Sequence, residues 1–469
     1  MLSKKAHKKE LPKEQLYINP TYGNRHFIED VPRFEIPQQG IAPDAAYQII
    51  HDELNLDGNP ALNLASFVTT WMEPNAKQLI IDTLNKNYVD QDEYPQTIEI
   101  QNRCVNMLSQ LFNVPDKNTS LGTATVGSSE AIHLCGLSMK WNWRDRRIKA
   151  NLPHDKPNIV MGHNVQVCWE KFARYFEVEP RFVPLTENRF IIDAEEATKL
   201  VDENTIGVVG ILGSTYTGEF EPIAALNNAL DKLNKKTGWD VPIHVDAASG
   251  GFVAPFIYPK LKWDFRLPLV KSINVSGHKY GLVYPGIGWA IWRDASALHN
   301  DLVFHVNYLG GDEPTFNLNF SKGASQVIAQ YYNFLRLGFA GYKNIMENLI
   351  SVTEYLGKAI ANLEEFTLLS NYKSLPVICC KLSQNYNFTV FNISNKLRER
   401  GWIVPAYTMA PNAEHIAVLR IVIREGFSLD MAEMLFNDLK NILPQLHTME
   451  PCLTKEKPVV RGKKTHKVC

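Results

Sequence analysis

The stretch SINVSGHKYG, Ser272 to Gly281, runs an apolar, strand-like segment into a glycine, a histidine and a lysine. An ammonium at the end of a buried strand is costly unless it is paired or chemically used. Lys279 is therefore either a surface residue at a turn or a group held there to react. The segments around it bear on that choice. Candidate strands are NIVMG (158–162), TIGVVGIL (205–212), PIHVDAA (242–248), SINVSG (272–277) and GIGWAIW (286–292). Several are continuous apolar runs, the pattern of a sheet covered by helices on both faces. Between two of them, PIAALNNALDKLNKKTG (222–238) has helical periodicity and a glycine stop, which fits a βαβ crossover. The expected fold class is α/β, with a mostly parallel central sheet covered by helices.

The chain has 469 residues, enough for two or three structural units around a large core. A polar, proline-punctuated segment with one short helical stretch, AYQIIHDEL (46–54), precedes the α/β region. A long helical stretch (325–363) leads out of it, and LPVICCKL, TVFNISNKLRERG and HIAVLRIVI beyond indicate a smaller α+β unit. The expected division is an N-terminal segment 1–61, a large ligand-binding domain 62–349, and a small C-terminal domain 350–469 ending in a basic tail.

Apolar residues make up 45% and charged residues 21%, the balance of a soluble globular protein. A formal net charge of −1 gives no general pull toward nucleic acid or membrane. No apolar run approaches the roughly 18 residues of a membrane span. The basic start MLSKKAHKKELPKEQ lacks the apolar core of a secretory signal. Seven scattered cysteines show no metal-ligand spacing and point to a reducing compartment, so the expected address is the cytoplasm, with no metal site.

Two upstream motifs change the weight of Lys279. In GTATVGSSEAIHLCGLSMKW (122–141), Gly-Ser-Ser opens an amphipathic helix. Its free N–H groups suit a phosphate, with Ser128 and Ser129 as further donors, although a serine can equally cap the helix. In HVDAASG (244–250), Asp246 follows an apolar strand, at the kind of strand end where open α/β sheets bind ligands. A protonated ring nitrogen would balance that carboxylate; the plainer reading is an Asp that begins a loop. A lysine, a phosphate-binding helix end and a carboxylate together meet the needs of pyridoxal phosphate. Ser276 and His278, flanking the lysine, are further candidates for its phosphate.

These residues also carry a family resemblance. NLASFVTTWMEP (63–74), NKNYVDQDEYPQ (85–96), TVGSSEA (125–131), VQVCWEKFARYF (165–176), STYTGEFE (214–221), HVDAASGGF (244–252), WDFRLP (263–268) and SGHKYG (276–281) resemble glutamate decarboxylase of the bacterial and plant type. NYLGG (307–311), NFS (319–321) and LRIVIREGF (419–427) continue the match, which runs in order from about residue 24 to 448. The resemblance implies the fold-type-I architecture of pyridoxal-phosphate enzymes and decarboxylation of L-glutamate to 4-aminobutanoate and CO2. It implies that Lys279 holds the cofactor as a Schiff base and that Asp246 pairs with the pyridine nitrogen. Ser128, Ser129 and His278 would bind the phosphate with help from Ser276, and Ser321 would reach the phosphate in a neighbouring subunit. Gln166 would stack on one ring face, Ala248 on the other, and Thr215 would lie near the ring substituents. Arg420 would bind the substrate α-carboxylate. Ser66, Phe67 through its backbone, Asn87 and Asp90 would surround the distal carboxylate, partly across a subunit interface. Many relatives have threonine where Ser66 stands, and the hydroxyl is retained. Whether Lys279 or a tyrosine returns the proton to carbon stays open.

The resemblance further implies a homo-oligomer, a dimer at least, with hexamers of three dimers among bacterial relatives and the N-terminal segment as the hexamer contact. Bacterial relatives carry a C-terminal histidine that blocks the site at neutral pH. His466 in THKVC stands at a similar place, three residues before the end, against the simpler expectation of a solvated basic tail. The tail contains no tryptophan, which argues against calmodulin. A decarboxylase of another amino acid and a non-catalytic binding homologue are the alternatives; Ser66, Asn87 and Asp90 weigh against the first, and Lys279, Asp246 and Arg420 against the second. The role expected from the family is acid resistance or 4-aminobutanoate metabolism.

Overall fold

The computed structural model describes residues 33–448 except 117, 119 and 308–312. His466, the basic tail, the basic N-terminal stretch and most of NYLGG lie outside the described residues. The chain divides into two units, Leu64–Val459 and Met1–Asn63 with Val460–Cys469. In the smaller unit, helix α1 (Pro43–Leu54) starts on a proline, whose missing N–H costs nothing in a first turn, and buries Ala45 and Ile49.

The large unit is built on a seven-stranded sheet: β1 (Leu121–Thr125), β2 (Asn158–Gly162), β3 (Glu179–Val183), β4 (Thr205–Ile211), β5 (Ile243–Asp246), β6 (Val270–Val275) and β7 (Gly288–Trp292). Their order is β1-β7-β6-β5-β4-β2-β3. The pairs from β6 to β3 are parallel, and β7 alone runs antiparallel to both β6 and β1. Between strands and around them lie α2 (Pro74–Asp82), α3 (Pro95–Leu111), α4 (Ser128–Lys149), α5 (Val167–Tyr175), α6 (Ala194–Lys199), α7 (Ile223–Thr237), α8 (Ala254–Ile257) and α9 (Ser325–Ala361). β2, β4 and β7 are buried along their whole length, as their apolar runs predict. Gly238 ends α7 in the left-handed region at φ +76°, the conformation that its place after the helix leads one to expect.

A hairpin, β8 (Phe304–Val306) with β9 (Glu313–Thr315), precedes α9. The small C-terminal sheet comprises β10 (Phe366–Leu368), β11 (Val377–Leu382), β12 (Ala406–Thr408) and β13 (Ala417–Val422), antiparallel in the order β10-β11-β13-β12. It carries α10 (Val390–Glu399) and α11 (Leu429–His447). No helix of the described residues is long and apolar enough to cross a membrane. Among the described residues, no cluster of His, Cys, Asp or Glu is arranged to hold a metal.

Two features hold the segment after β6 in place. Leu282 has φ +63°, a strained value for a non-glycine residue. Buried polar groups of α9 secure that turn: Asn333 Nδ2 donates to the Leu282 carbonyl at 2.6 Å, and Gln330 Nε2 and the Tyr342 hydroxyl donate to the Gly281 carbonyl. On the other side, Thr69 donates through N to the His278 carbonyl and through Oγ1 to the Lys279 carbonyl.

Gly288 at the start of β7 lets the turn before α4 lie against the sheet. A Cβ there would stand 2.5 Å from the Gly127 carbonyl carbon and 2.7 Å from Ser128 N, backbone atoms with no rotamer to yield. Gly288→Ala is expected to destabilise the protein by about 1–3 kcal/mol. The check is thermal unfolding, and an unchanged midpoint would contradict this packing.

Candidate functional site

A cleft of about 420 Å³ opens where β1, β2, β4, β5 and β6 end, the strand ends at which open α/β sheets bind ligands. Its lining includes Ser128, Ser129, Gln166, Thr215, Asp246, Ala248, Ser276, His278 and Lys279. Nine of the sequence candidates therefore meet in one place.

The α4 end of the cleft is an anion cup. Gly127 is the N-cap and no side chain caps the helix, so the free N–H groups of its first turn face the cleft residues. The simple capping reading of the serines does not hold: Ser128 Oγ lies 2.7 Å from Ser276 Oγ, across from β6, and not on its own helix. Buried Glu130 fixes the turn, accepting from Val126 N at 2.8 Å and from Leu318 N at 3.0 Å. His278 Nδ1 is buried with no hydrogen-bond partner, beside Gly127. Burial, reinforced by Lys279, pushes the His278 pKa down to about 4, so the ring is a neutral donor or acceptor. An orphaned imidazole nitrogen, two hydroxyls and a helix N-terminus fit a phosphate group.

The floor carries the lysine and the carboxylate. Lys279 Nζ donates to Ser249 Oγ at 3.1 Å and stands 5.4 Å over the Phe67 ring. Burial holds its pKa below the ordinary lysine value, with Arg420 adding to the effect and Asp246 and Cys168 opposing it. The resting amine is thus biased toward the neutral, nucleophilic form. Asp246 Oδ1 accepts from Asn274 Nδ2 at 2.9 Å and Ala248 N at 3.2 Å, and Oδ2 accepts from Trp169 Nε1 at 2.9 Å. A buried carboxylate so supplied with donors suits a protonated ring nitrogen. Cup, amine and anion together fit pyridoxal phosphate. The Gln166 side chain also caps α5, its Oε1 accepting from Cys168 N at 2.7 Å.

Arg420, on β13, adjoins this floor. Its Nη1 donates to the Thr215 carbonyl and its Nη2 to the Ala65 carbonyl, each at 2.6 Å, while Nε has no partner. The guanidinium lies over Phe67 at 5.2 Å and Tyr407 at 5.5 Å. Its plane is therefore set in advance, with donors left for a carboxylate. Ser66 Oγ accepts from Val68 N in the same segment as Phe67. Asn87, Asp90 and Ser321 do not line the cleft within this chain. Asn87 Oδ1 accepts from Lys322 N, next to Ser321, and Asp90 Oδ1 accepts from Glu93 N.

Sequence reading missed Trp169, Ser249 and Asn274. The signal for Asn274 was present: Ser272 and Asn274 alternate with Ile273 and Val275, which puts two polar groups on one face of β6, with Ser276 just beyond its end.

The chain is similar to known proteins in sequence and in fold. The pyridoxal-dependent decarboxylase conserved domain matches residues 37–383. A glutamate decarboxylase of Solanum lycopersicum is 59% identical over 438 residues, covering 93% of this chain and 87% of that protein. One from Aliivibrio fischeri is 49% identical, covering 93% and 94%. Among solved structures, a glutamate decarboxylase of Lactobacillus brevis superposes with a TM-score of 0.87 at 45% identity, covering 90% of this chain and 97% of that one. A sphingosine-1-phosphate lyase of Burkholderia pseudomallei shares the fold at a TM-score of 0.74 and 20% identity, covering 89% and 93%.

The depressed Lys279 pKa has a direct check. In the cofactor-free protein, condensation of Lys279 with an aldehyde should show a half-rate pH clearly below the ordinary lysine value of about 10.4. A midpoint at or above that value would contradict the lowering of the Lys279 pKa by burial.

Proposed function

The chain belongs to the pyridoxal-dependent decarboxylase family, and we propose that it converts L-glutamate to 4-aminobutanoate and CO2 with pyridoxal 5'-phosphate carried on Lys279. The observation that carries this reading is the meeting of Lys279, Asp246 and the Ser128–His278 cup in one cleft. Identities of 46–59% to plant and bacterial glutamate decarboxylases over more than nine-tenths of the chain support the choice of substrate.

When bound, pyridoxal phosphate supplies the electron sink for the pair left by the departing carboxylate. The chain's own groups do the rest. Ser128, Ser129 and His278, with Ser276 in support, hold the phosphate at the start of α4. Asp246 would pair with the ring nitrogen and hold a proton there. Gln166 and Ala248 would cover the two ring faces, Thr215 would lie near the ring substituents, and Ser321 would serve the phosphate in a neighbouring subunit. Arg420 would grip the α-carboxylate and orient the substrate for loss of that group. Ser66, the Phe67 backbone, Asn87 and Asp90 read the distal carboxylate. The position of Asn87, Asp90 and Ser321 outside this chain's own cleft supports their use across an interface, and hence a homo-oligomer of at least two subunits. The family resemblance supports a cytoplasmic address and a role in countering acid, since each turnover consumes a proton.

The protein loaded with cofactor should yield 4-aminobutanoate and CO2 in equal amounts from glutamate and neither product class from tryptophan; release of CO2 from tryptophan but not glutamate would overturn the substrate assignment. Arg420→Lys keeps the charge and loses the fork, and is expected to lower kcat/KM by about 10–100-fold. Activity equal to the parent would remove Arg420 from substrate binding.

Asp90 generates a pH prediction. Two carboxylates in contact cannot both stay ionised cheaply, so glutamate bound against Asp90 takes up a proton. Binding that takes up a proton strengthens as pH falls. The KM for glutamate should therefore decrease toward mild acid, and Asp90→Asn should flatten that dependence; an Asn variant with the full acid preference would count against the role.

A further inference from the structure

A polar row crosses the sheet behind the cleft. β5 and β6 are parallel neighbours that set His244 opposite Ser272 and Asp246 opposite Asn274. Residues two apart share a face, so all four groups meet on one side of the sheet. His244 Nδ1 lies 2.8 Å from Ser272 Oγ, and its Nε2 lies 2.8 Å from Asn274 Oδ1. Asn274 Nδ2 then donates to Asp246 Oδ1. Each of the four is buried.

The chemistry of the end group sets the direction of the row. An ionised carboxylate only accepts, so Asn274 must turn its NH2 to Asp246 and its carbonyl to His244. His244 must then carry its proton on Nε2, and Nδ1 must accept from the Ser272 hydroxyl. Every donor points toward Asp246. Burial pushes the His244 pKa down to about 4, which keeps the ring neutral, and Trp169 packs edge-on against it at 5.2 Å.

We propose that His244 and Asn274 are positioning residues for Asp246: the His244 Nε2–H, fixed by Ser272, locks the Asn274 amide in the one orientation that donates to the carboxylate. Without the lock the amide can turn over, and its carbonyl would face a carboxylate oxygen as acceptor against acceptor. A carboxylate that loses a donor holds a proton more tightly. The row therefore keeps the Asn274 donor on Asp246 Oδ1, so that a proton shared with a ring nitrogen would stay on the nitrogen. The proposal rests on the reading of Asp246 as the ring-nitrogen partner.

The test compares His244→Leu, His244→Gln, Ser272→Ala and Asp246→Asn in the full chain, each checked for fold by circular dichroism. The readouts are the pyridoxal phosphate dissociation constant by equilibrium dialysis, and kcat and KM for glutamate. His244→Leu keeps the volume but offers no donor, and should weaken cofactor retention at least about tenfold. It should also lower kcat while KM stays within about threefold. His244→Gln, whose amide N–H can reach Asn274, should recover most of both losses. Wild-type retention in His244→Leu, or equal damage in Leu and Gln, overturns the proposal. Should His244→Leu fail to fold, Ser272→Ala decides: a smaller loss of retention supports the lock, and wild-type retention overturns it. Asp246→Asn separates the two readings. If it behaves as the parent, the role of Asp246 falls; if it alone is crippled, only the positioning role of His244 and Asn274 falls.

Discussion

A lysine amine at the closed end of a buried strand is the constraint around which the large unit is arranged. Desolvation works against its charged form, and the nearby Arg420 guanidinium works in the same direction. Asp246 works the other way, but its carboxylate is already supplied with donors from Trp169, Asn274 and the Ala248 backbone. The consequence is an amine whose pKa burial lowers, beside a carboxylate rich in hydrogen-bond donors. Ser249 accepts from the amine and gives it a direction.

Holding that pair requires rigid backbone, and it comes from three parts of the chain. The 64–70 segment binds the carbonyls of His278 and Lys279 through Thr69. It is itself tied to the end of the small sheet, where Glu425 accepts from Thr70 N and Arg424 donates to Thr70 Oγ1. The inner face of α9 commits three buried polar side chains to the Gly281 and Leu282 carbonyls. Tyr280 adds a bond from its hydroxyl to the Ile423 carbonyl. Arg420, a few residues away, is thereby placed relative to Lys279 by the same clamp, which is how a small C-terminal sheet contributes to a cleft formed by the large one.

Much of this frame is legible in the sequence because buried parallel strands announce themselves. NIVMG and TIGVVGI are strands almost residue for residue, and the crossover helix ends at Gly238. β1 and β3 escape notice because LGTAT and EPRFV mix in polar, charged, glycine and proline residues, so that only sheet pairing makes them strands. The cleft residues of SGHKYG, TVGSS and HVDAAS are readable since a reactive lysine, a helix start and a strand-end Asp each leave a local mark. Trp169 leaves none: its indole N–H reaches Asp246 only after α5 is packed on the sheet. The positive φ of Leu282 is equally invisible, being imposed by donors from α9 and not by its own side chain. Asn87, Asp90 and Ser321 are absent from the lining of this chain's cleft, and their expected use across a subunit interface comes from the family resemblance and not from any periodicity or spacing in the sequence.

The central claim is that one lysine among many is the cofactor's attachment point, selected by its burial. Loading the protein with pyridoxal phosphate, reducing it with borohydride and mapping the peptides by mass spectrometry tests this directly. The modification should fall stoichiometrically on Lys279, and Lys279→Ala should abolish it. Label at another lysine at full occupancy, or full labelling of the Ala variant, would contradict the account.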